Sequence, residues 1–496
     1  MKTALILLLW CAAPTPGQSS VGAFTPTGAM TIARNWHTAT LLNNGQVLIA
    51  GGVSDSSFAA TASTELYDPT LGTFSPTGNM TIPRAAHTAV LLPDGRVLIA
   101  GGSSGFGENV PYLTTAEIYD PSTGTFTATS DMIHGHECGQ AHVLNSGKVL
   151  LSGGSSVSSA SPNPGPIPDA QLYDPTAGSF AAAGTYATVP PNGSFCGGHA
   201  ETLLADGRVL VVWEDDLAEI YDPETGSFTQ TAKPLGPSPD NVGLATATLL
   251  MDGKVLVAGG QDDYQESYKL TELFDSLTGS FTPGGSLPSG HDGAFATLLP
   301  NGTVLIAGGD YDFGVPYSPQ GHAVVYDPVS GIFRAGPGMV SSPSTPTATL
   351  LNDGRVLIAG GFSWATPSGP TPLAQLYTPD VLTPAPVLLS VTADGQGQGA
   401  ILHAGTARLV TAADPAVAGE ALEVYCTGLA EGSALPPQIA IGGRLASILY
   451  FGDAPGFKGL NQVNIRVPNG VAAGSAVPVR LTYLGRPSNG VTIGLK

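Results

Sequence analysis

Histidines, one cysteine and short acidic runs stand at matching places along this 496-residue chain. His136, Cys196, His199 and His291 each lie eight or eleven residues before a glycine that closes a turn. Acidic residues follow a second recurring phrase. Glu214, Asp215 and Asp216 come after Trp213, Asp262 and Asp263 after "VLVAGGQ", and Asp310 and Asp312 after "VLIAGG". Carboxylates beside rings such as Trp213, Tyr264 and Tyr311 suit sugar hydroxyls or Ca²⁺, with the rings as stacking faces. Nothing resembles the dense D-x-D-x-D-G calcium loop, so no metal is assigned. No Gly-rich phosphate loop is present.

Plainer readings compete with each of these. "RxxHT" occurs twice, as Arg34 with His37 and Arg84 with His87. A histidine there can join adjacent units and satisfy buried backbone. The aspartates after "GG" can be solvated loop residues. Cys138 and Cys196 fall two alignment positions apart at the start of neighbouring units, and a disulfide between them would pin the long approach that carries Cys196.

Composition limits the partners. The 38 acidic residues outnumber the 18 basic ones, for a formal charge of −20. That balance repels nucleic acid and anionic lipid. The first nineteen residues read as a secretory signal, with Lys2, then an apolar run over 4–10, then small residues. The run is too short to span a membrane, and no later segment qualifies. The expected location is therefore secreted, extracellular or at the cell surface.

The elements that position these residues follow from self-similarity. Turn glycines recur at Gly45, Gly95, Gly147, Gly207, Gly253, Gly302 and Gly354, at intervals of 46 to 60 residues. Each is followed by "VLIAGG" or a variant and then by "YDP" or a variant. Each unit reads as four short strands: "HTATLL" (a), "VLIAGG" (b), "AELYDP" (c) and "GTFSPT" (d). The turns "NNG" and "PDG" carry hairpin chemistry. Four antiparallel strands per period of roughly 50 residues predict a β-propeller blade. The seventh unit lacks its strand d, but "VGAFTPTGAM" at 21–30 copies "LGTFSPTGNM" at 71–80. The N-terminal strand should complete that blade and close a ring of seven. After a Pro-rich linker, period-two alternation in "LNQVNIRVP" and "VPVRLTYLG" predicts a β-sandwich. The fold class is all-β, with residues 1–19 as signal, 21–380 as propeller, 381–390 as linker and 387–496 as sandwich.

"RNWHTATLLNNGQVLIAGG" and "TELYDPTLGTF" resemble the Kelch family, in phase seven times over residues 22–380. The resemblance implies a seven-bladed propeller most like the secreted galactose-oxidase type. The C-terminal stretch resembles the immunoglobulin-like modules of secreted bacterial proteins. Galactose-oxidase-like enzymes hold copper with two tyrosines and two histidines, one tyrosine being cross-linked to a cysteine. "FCGG" at 195–198 resembles the cysteine segment. However, "DNVGLATATLL" offers no aromatic partner and "SGHDGAFATLL" no tyrosine before His291. His403 is the one histidine of the C-terminal domain and lacks a convincing ligand loop. The copper set is incomplete, so no cofactor is assigned.

In such a ring the d–a and b–c loops share one face, where length varies and function tends to sit. The b–c spacing is 14 to 19 residues in six blades and seven in blade four, from Glu214 to Tyr221. The approach to blade four, from Phe180 to Gly207, has grown to 27 residues against 21 in five blades. The expected function is non-enzymatic binding of an extracellular glycan or protein by this face. The candidate ligand-binding residues are those named above, from His136 to Asp312. A diverged copper-radical oxidase and a structural surface protein are the alternatives.

Overall fold

A computed structural model describes residues 21–496 apart from 56, 107–109, 111, 159–160, 167–168, 188–198, 214–216, 236–242, 262–268, 292, 310–321 and 364–367. Seven four-stranded antiparallel sheets are arranged as blades. Blade one comprises Thr38–Leu41 (a), Val47–Ala50 (b), Thr64–Asp68 (c) and Thr73–Pro76 (d). Each strand a touches the strand a on either side, from blade one round to blade seven and back, which closes the ring. No helix among the described residues is long and apolar enough to cross a membrane.

The repeated phrases each do one structural job. "VLIA" is buried along its whole length, because strand b has sheet neighbours on both edges and other blades above and below. The a–b turn closes with Gly45 at φ 87°, a left-handed conformation that glycine takes at little cost. In "YDP", Oδ1 of Asp68 accepts the backbone N–H of Thr70 at 2.8 Å and fixes the c–d turn. Asp120, Asp174 and Asp222 repeat the device. The strand-c tyrosine packs on the strand-d phenylalanine seven residues on, as in Tyr67 on Phe74 at 4.8 Å between centroids. Its hydroxyl bonds across to the preceding blade, Tyr67 to Thr27 at 2.9 Å and Tyr119 to Thr77 at 2.9 Å.

The N-terminal strand completes blade seven. Ala23–Pro26 pairs antiparallel with Ala374–Thr378, with Phe24 opposite Tyr377 and their rings 5.2 Å apart. The Tyr377 hydroxyl donates to the carbonyl of Val21. Pairing first and last strands in one sheet removes two open edges.

Two blades are tied by buried ion pairs. Arg34 meets Glu65 at 2.9 Å and Arg84 meets Glu117 at 2.8 Å, with every partner at most 1 % exposed. Remaining donors are used as well: Arg34 Nη1 donates to the carbonyls of Gly51 and Ser63. Glu65 accepts from the backbone of Thr31 and Ile32. In blade three His136 takes the arginine position, and Gln171 takes that of the glutamate. Gln171 still accepts from Ile133 N–H, at 2.7 Å, so the hydrogen bond survives without a buried charge.

The C-terminal unit is a sandwich of two five-stranded sheets. One is centred on Ala421–Thr427 and Asn461–Arg466, the other on Gln438–Ile441 and Gly474–Tyr483. Alternate residues of both sheets, such as Val424, Val463, Ile439 and Leu481, form one core. Cys426 is a free buried thiol there, pushed up to about 12 by desolvation. The sandwich sits on the a–b turns of the propeller. Ala434 N–H donates to Met251 at 2.7 Å, and Arg480 to Asn43 at 3.3 Å. A Cβ on Gly443 would lie 2.9 Å from that of Asp94. Between the units lies a cavity of about 1090 Å³, walled by strand-a residues of blades three to seven and by loops of the sandwich.

The ion pairs make the first prediction. Arg84→Met leaves the Glu117 carboxylate buried without its cation and should cost about 3–5 kcal/mol in urea unfolding. Adding Glu117→Gln should restore part of that loss. A midpoint equal to wild type for Arg84→Met would contradict this account.

Candidate functional site

The chain enters strand a in the same way in five blades. The residue nine before the turn glycine is left-handed: Trp36 at φ 56°, Ala86 at 51°, Cys138 at 60°, Gly293 at 61° and Thr345 at 50°. Four of these are not glycine, a costly conformation that the surrounding joint must hold in place. In blades one and two the next residue, His37 or His87, is then directed into the neighbouring blade. There it lies where the first glycine of "GG" has no side chain. A Cβ on Gly51 would be 2.8 Å from His87, on Gly360 2.5 Å from His37, and on Gly153 2.0 Å from His199. "RxxHT" and "VLIAGG" are thus two halves of one joint. His87 Nε2 bonds Thr38 Oγ1 at 2.9 Å, and His37 Nε2 bonds Thr347 Oγ1 at 3.1 Å across the closure.

Several expected site residues prove to be inside the blades. His291 is 1 % exposed, with Nδ1 on the carbonyl of Gly308 at 3.1 Å and Nε2 on Ser289 Oγ at 3.2 Å. Trp213 is 4 % exposed and lies edge-on to Tyr186 at 4.8 Å, with His199 at 5.5 Å. It is a core residue between blades three and four rather than a surface ring. His136 is buried with neither ring nitrogen hydrogen-bonded, and burial pushes it down to about 4. Cys196, Glu214, Asp215, Asp216, Asp262, Asp263, Asp310 and Asp312 lie outside the described residues, as do Tyr264 and Tyr311.

His199 belongs to a polar cluster in the cleft between blades three and four. Strand a of blade three is Gln140–Val143 and that of blade four His199–Leu203. Across them Glu201 Oε2 lies 3.4 Å from His142 Nε2 and accepts from Ser152 Oγ at 2.6 Å. Glu201 Oε1 lies 3.5 Å from His199 Nε2. Desolvation would raise the Glu201 carboxyl, but the His142 and Ser152 hydrogen bonds and the His199 charge outweigh it and leave the group low. His199 is pushed down, chiefly by burial. Tyr186 accepts from Gly153 N–H at 2.7 Å, and burial raises its hydroxyl well above the ordinary value.

Sequence reasoning missed His142, Ser152 and Glu201, although a signal was there. At the position of Glu201 the six other blades carry alanine, and at that of His142 they carry threonine or valine. Ser152 takes the place of alanine in five blades. These departures fall six and five residues before the turn glycine and five after it, away from the positions eight and eleven before it that carry the candidate histidines. Among the described residues no group of three or more His, Cys, Asp or Glu is arranged to hold a metal ion.

The comparisons agree on the architecture. Residues 84–133 match the Kelch motif. No curated protein matches the sequence. A solved structure titled as a novel fungal alcohol oxidase of the AA5 family, in complex with copper, superposes with TM-score 0.63. It is 18 % identical, over 96 % of this chain and all of that one. A protein named YjhT is 16 % identical over 62 % of this chain and 98 % of its own, with TM-score 0.45. At 18 % identity the likeness to the oxidase is one of fold, and with the motif match the propeller is of the Kelch type.

The described residues do not fit the copper centre that the galactose-oxidase-like resemblance implies. His37 and His87 are already bonded to neighbouring blades and His291 within its own, and no tyrosine stands beside them at the strand-a entrances. His403 is bonded to Glu420 within the sandwich.

Two predictions come from this geometry. Burial, with the Arg34 charge adding to it, pushes His37 down to about 3. As pH falls below 6.5 the unfolded chain takes up this proton and the folded chain does not. Stability should therefore decline between pH 6.5 and about 3, by at most about 1.4 kcal/mol per unit for each such histidine. Thermal melts of His37→Gln should show a shallower decline between pH 6 and 4, and an unchanged slope would mean that the folded histidine is protonated. Cys138 is disulfide-bonded, and its partner lies outside the described residues. With Cys426 free, we expect a non-reduced digest to link the Cys138 peptide to that of Cys196. A free Cys196 thiol would refute the pairing.

Proposed function

We propose that this chain is a secreted, non-enzymatic binding protein, its d–a/b–c face recognising an extracellular glycan or protein surface. The observation that carries this reading is the position of the sandwich. It covers the a–b turns at one end of the central channel, through Met251, Asn43 and Asp94. The other mouth, ringed by the loops of variable length, is the end left for a partner. The acidic excess favours neutral or basic partners over anionic ones. In this proposal residues 1–19 act as signal, the unit after the linker is an immunoglobulin-like module, and Glu214 to Asp216, Asp262, Asp263, Asp310 and Asp312 rim the binding face.

The alternative, a copper oxidase like the fungal alcohol oxidase, has the shared architecture and the "FCGG" segment behind it. It lacks a ligand set among the described residues.

A glycan array probed with the full chain tests the binding reading. Asp215→Ala with Asp216→Ala should weaken any glycan recognised on this face about tenfold, the scale of one charge-assisted hydrogen bond. Unchanged binding by the double variant would remove these residues from the site. Stoichiometric copper, with peroxide released from alcohols or sugars, would instead support the oxidase.

A further inference from the structure

On the same face, blades one and two carry an aromatic shelf that the motifs do not require. The b–c loop of blade one pairs antiparallel with that of blade two through Ala59 and Gly105. Phe106 N–H donates to the carbonyl of Phe58 at 3.0 Å, and Ala60 N–H to that of Ser104 at 3.1 Å. This register places the backbone of Phe58 opposite that of Phe106. The loops approach so closely that a Cβ on Gly105 would lie 2.5 Å from the Phe58 carbonyl oxygen. The ring of Phe106 in turn packs on Trp36, with centroids 5.7 Å apart and planes at 58°. Trp36 stands at the channel mouth, with its N–H on Asn35 Oδ1 and its carbonyl on Ala86 N–H. Phe58 is left-handed at φ 57° and 45 % exposed, held outward by a built loop.

The edge of the shelf is polar. Asp55 Oδ1 accepts the N–H of Ser57 at 2.8 Å and its hydroxyl at 2.5 Å, which fixes the carboxylate three residues from Phe58. These hydrogen bonds hold Asp55 below the ordinary carboxylate value, so it is ionised at neutral pH. The arginines that lead into these two blades, Arg34 and Arg84, are buried on Glu65 and Glu117 and offer no charge to the surface.

We infer that Phe58, Phe106, Trp36 and Asp55 form a subsite for a neutral pyranose ring of a glycan. The apolar C–H face of the sugar would stack on the exposed Phe58 ring, and a hydroxyl would donate to Asp55. The size of the shelf separates this ligand from a protein. Phe58 leaves less than about 100 Å² open, the scale of one sugar ring's face, while a protein partner would have to bury about 800 Å² spread over many residues of this face. Its charge separates a neutral sugar from a sulfated or uronic one, since a fixed carboxylate with no free arginine beside it among the described residues repels anions. The subsite rests on the reading of this face as a binding face and deepens it.

The test uses the full chain and calorimetric titration with four neutral hexasaccharides (of glucose in α and β linkage, of mannose and of N-acetylglucosamine), with a heparin hexasaccharide as the anionic control. At least one neutral probe should bind and the heparin probe should not. Phe58→Ala should weaken binding about tenfold and Phe58→Tyr should retain it, because stacking needs the ring. Phe58 is exposed, so melting curves of both variants should overlay wild type. Equal affinity of Phe58→Ala and wild type, preference for heparin, or failure of every neutral probe to bind would overturn the subsite. If Phe58→Ala keeps binding while Asp215→Ala with Asp216→Ala loses it, the subsite falls and the face reading stands. Loss confined to Phe58→Ala supports the subsite and moves the binding centre to blades one and two.

Discussion

The architecture depends on a steric bargain between neighbouring blades. A left-handed residue at the start of strand a turns the next side chain into the preceding blade, where a glycine leaves it room. Neither half is stable alone. Trp36 or Thr345 would not hold φ near 50° without the joint, and a buried imidazole needs the threonine hydroxyl it meets. The histidine joint braces the seams between blades seven and one, one and two, and three and four. Tyrosine-to-threonine bonds from Tyr67, Tyr119 and Tyr173 brace the outer part of the seams that precede blades one, two and three.

Against that repeated joint, departures acquire meaning. Arg34–Glu65 and Arg84–Glu117 are buried charges kept in balance, and blade three abandons both charges together through His136 and Gln171. Blades four and five instead keep the glutamate, as buried Glu219 and Glu272, although Cys196 and Val242 take the arginine position, so charge balance alone does not dictate the choice. The cleft between blades three and four runs the other way. It gains a carboxylate, Glu201, and surrounds it with His142, His199 and Ser152. Trp213 fills the apolar side of that cleft, under the place where the b–c loop is shortest.

The two ends of the channel differ in kind. One is closed by the sandwich, whose loops reach the a–b turns and enclose a cavity with strand-a residues. The other is built from loops whose lengths vary between blades. Short, uniform turns suit a docking platform, because each offers the same carbonyls at the same height. Variable loops suit recognition, because their backbone is not committed to the ring.

Seven units, four strands in each and closure by the N-terminal strand were legible in the sequence. The physical reason is that strand alternation, turn glycines and the Tyr–Phe pair are local and recur in phase. The second glycine-rich phrase was legible as a marker but not as a socket, since the histidine it receives comes from the next blade, some 36 residues away in the case of Gly51 and His87. Candidate His291 proved to be a strut within its own blade: sequence shows that it can bond, and only packing shows that Gly308 and Ser289 already occupy it. Glu201 with His142, and Phe58 with Phe106, are contacts between blades. Residue types and spacing determined the ring, while the tertiary structure alone decided which polar and aromatic groups face inward, because that depends on what the neighbouring blade brings to each seam.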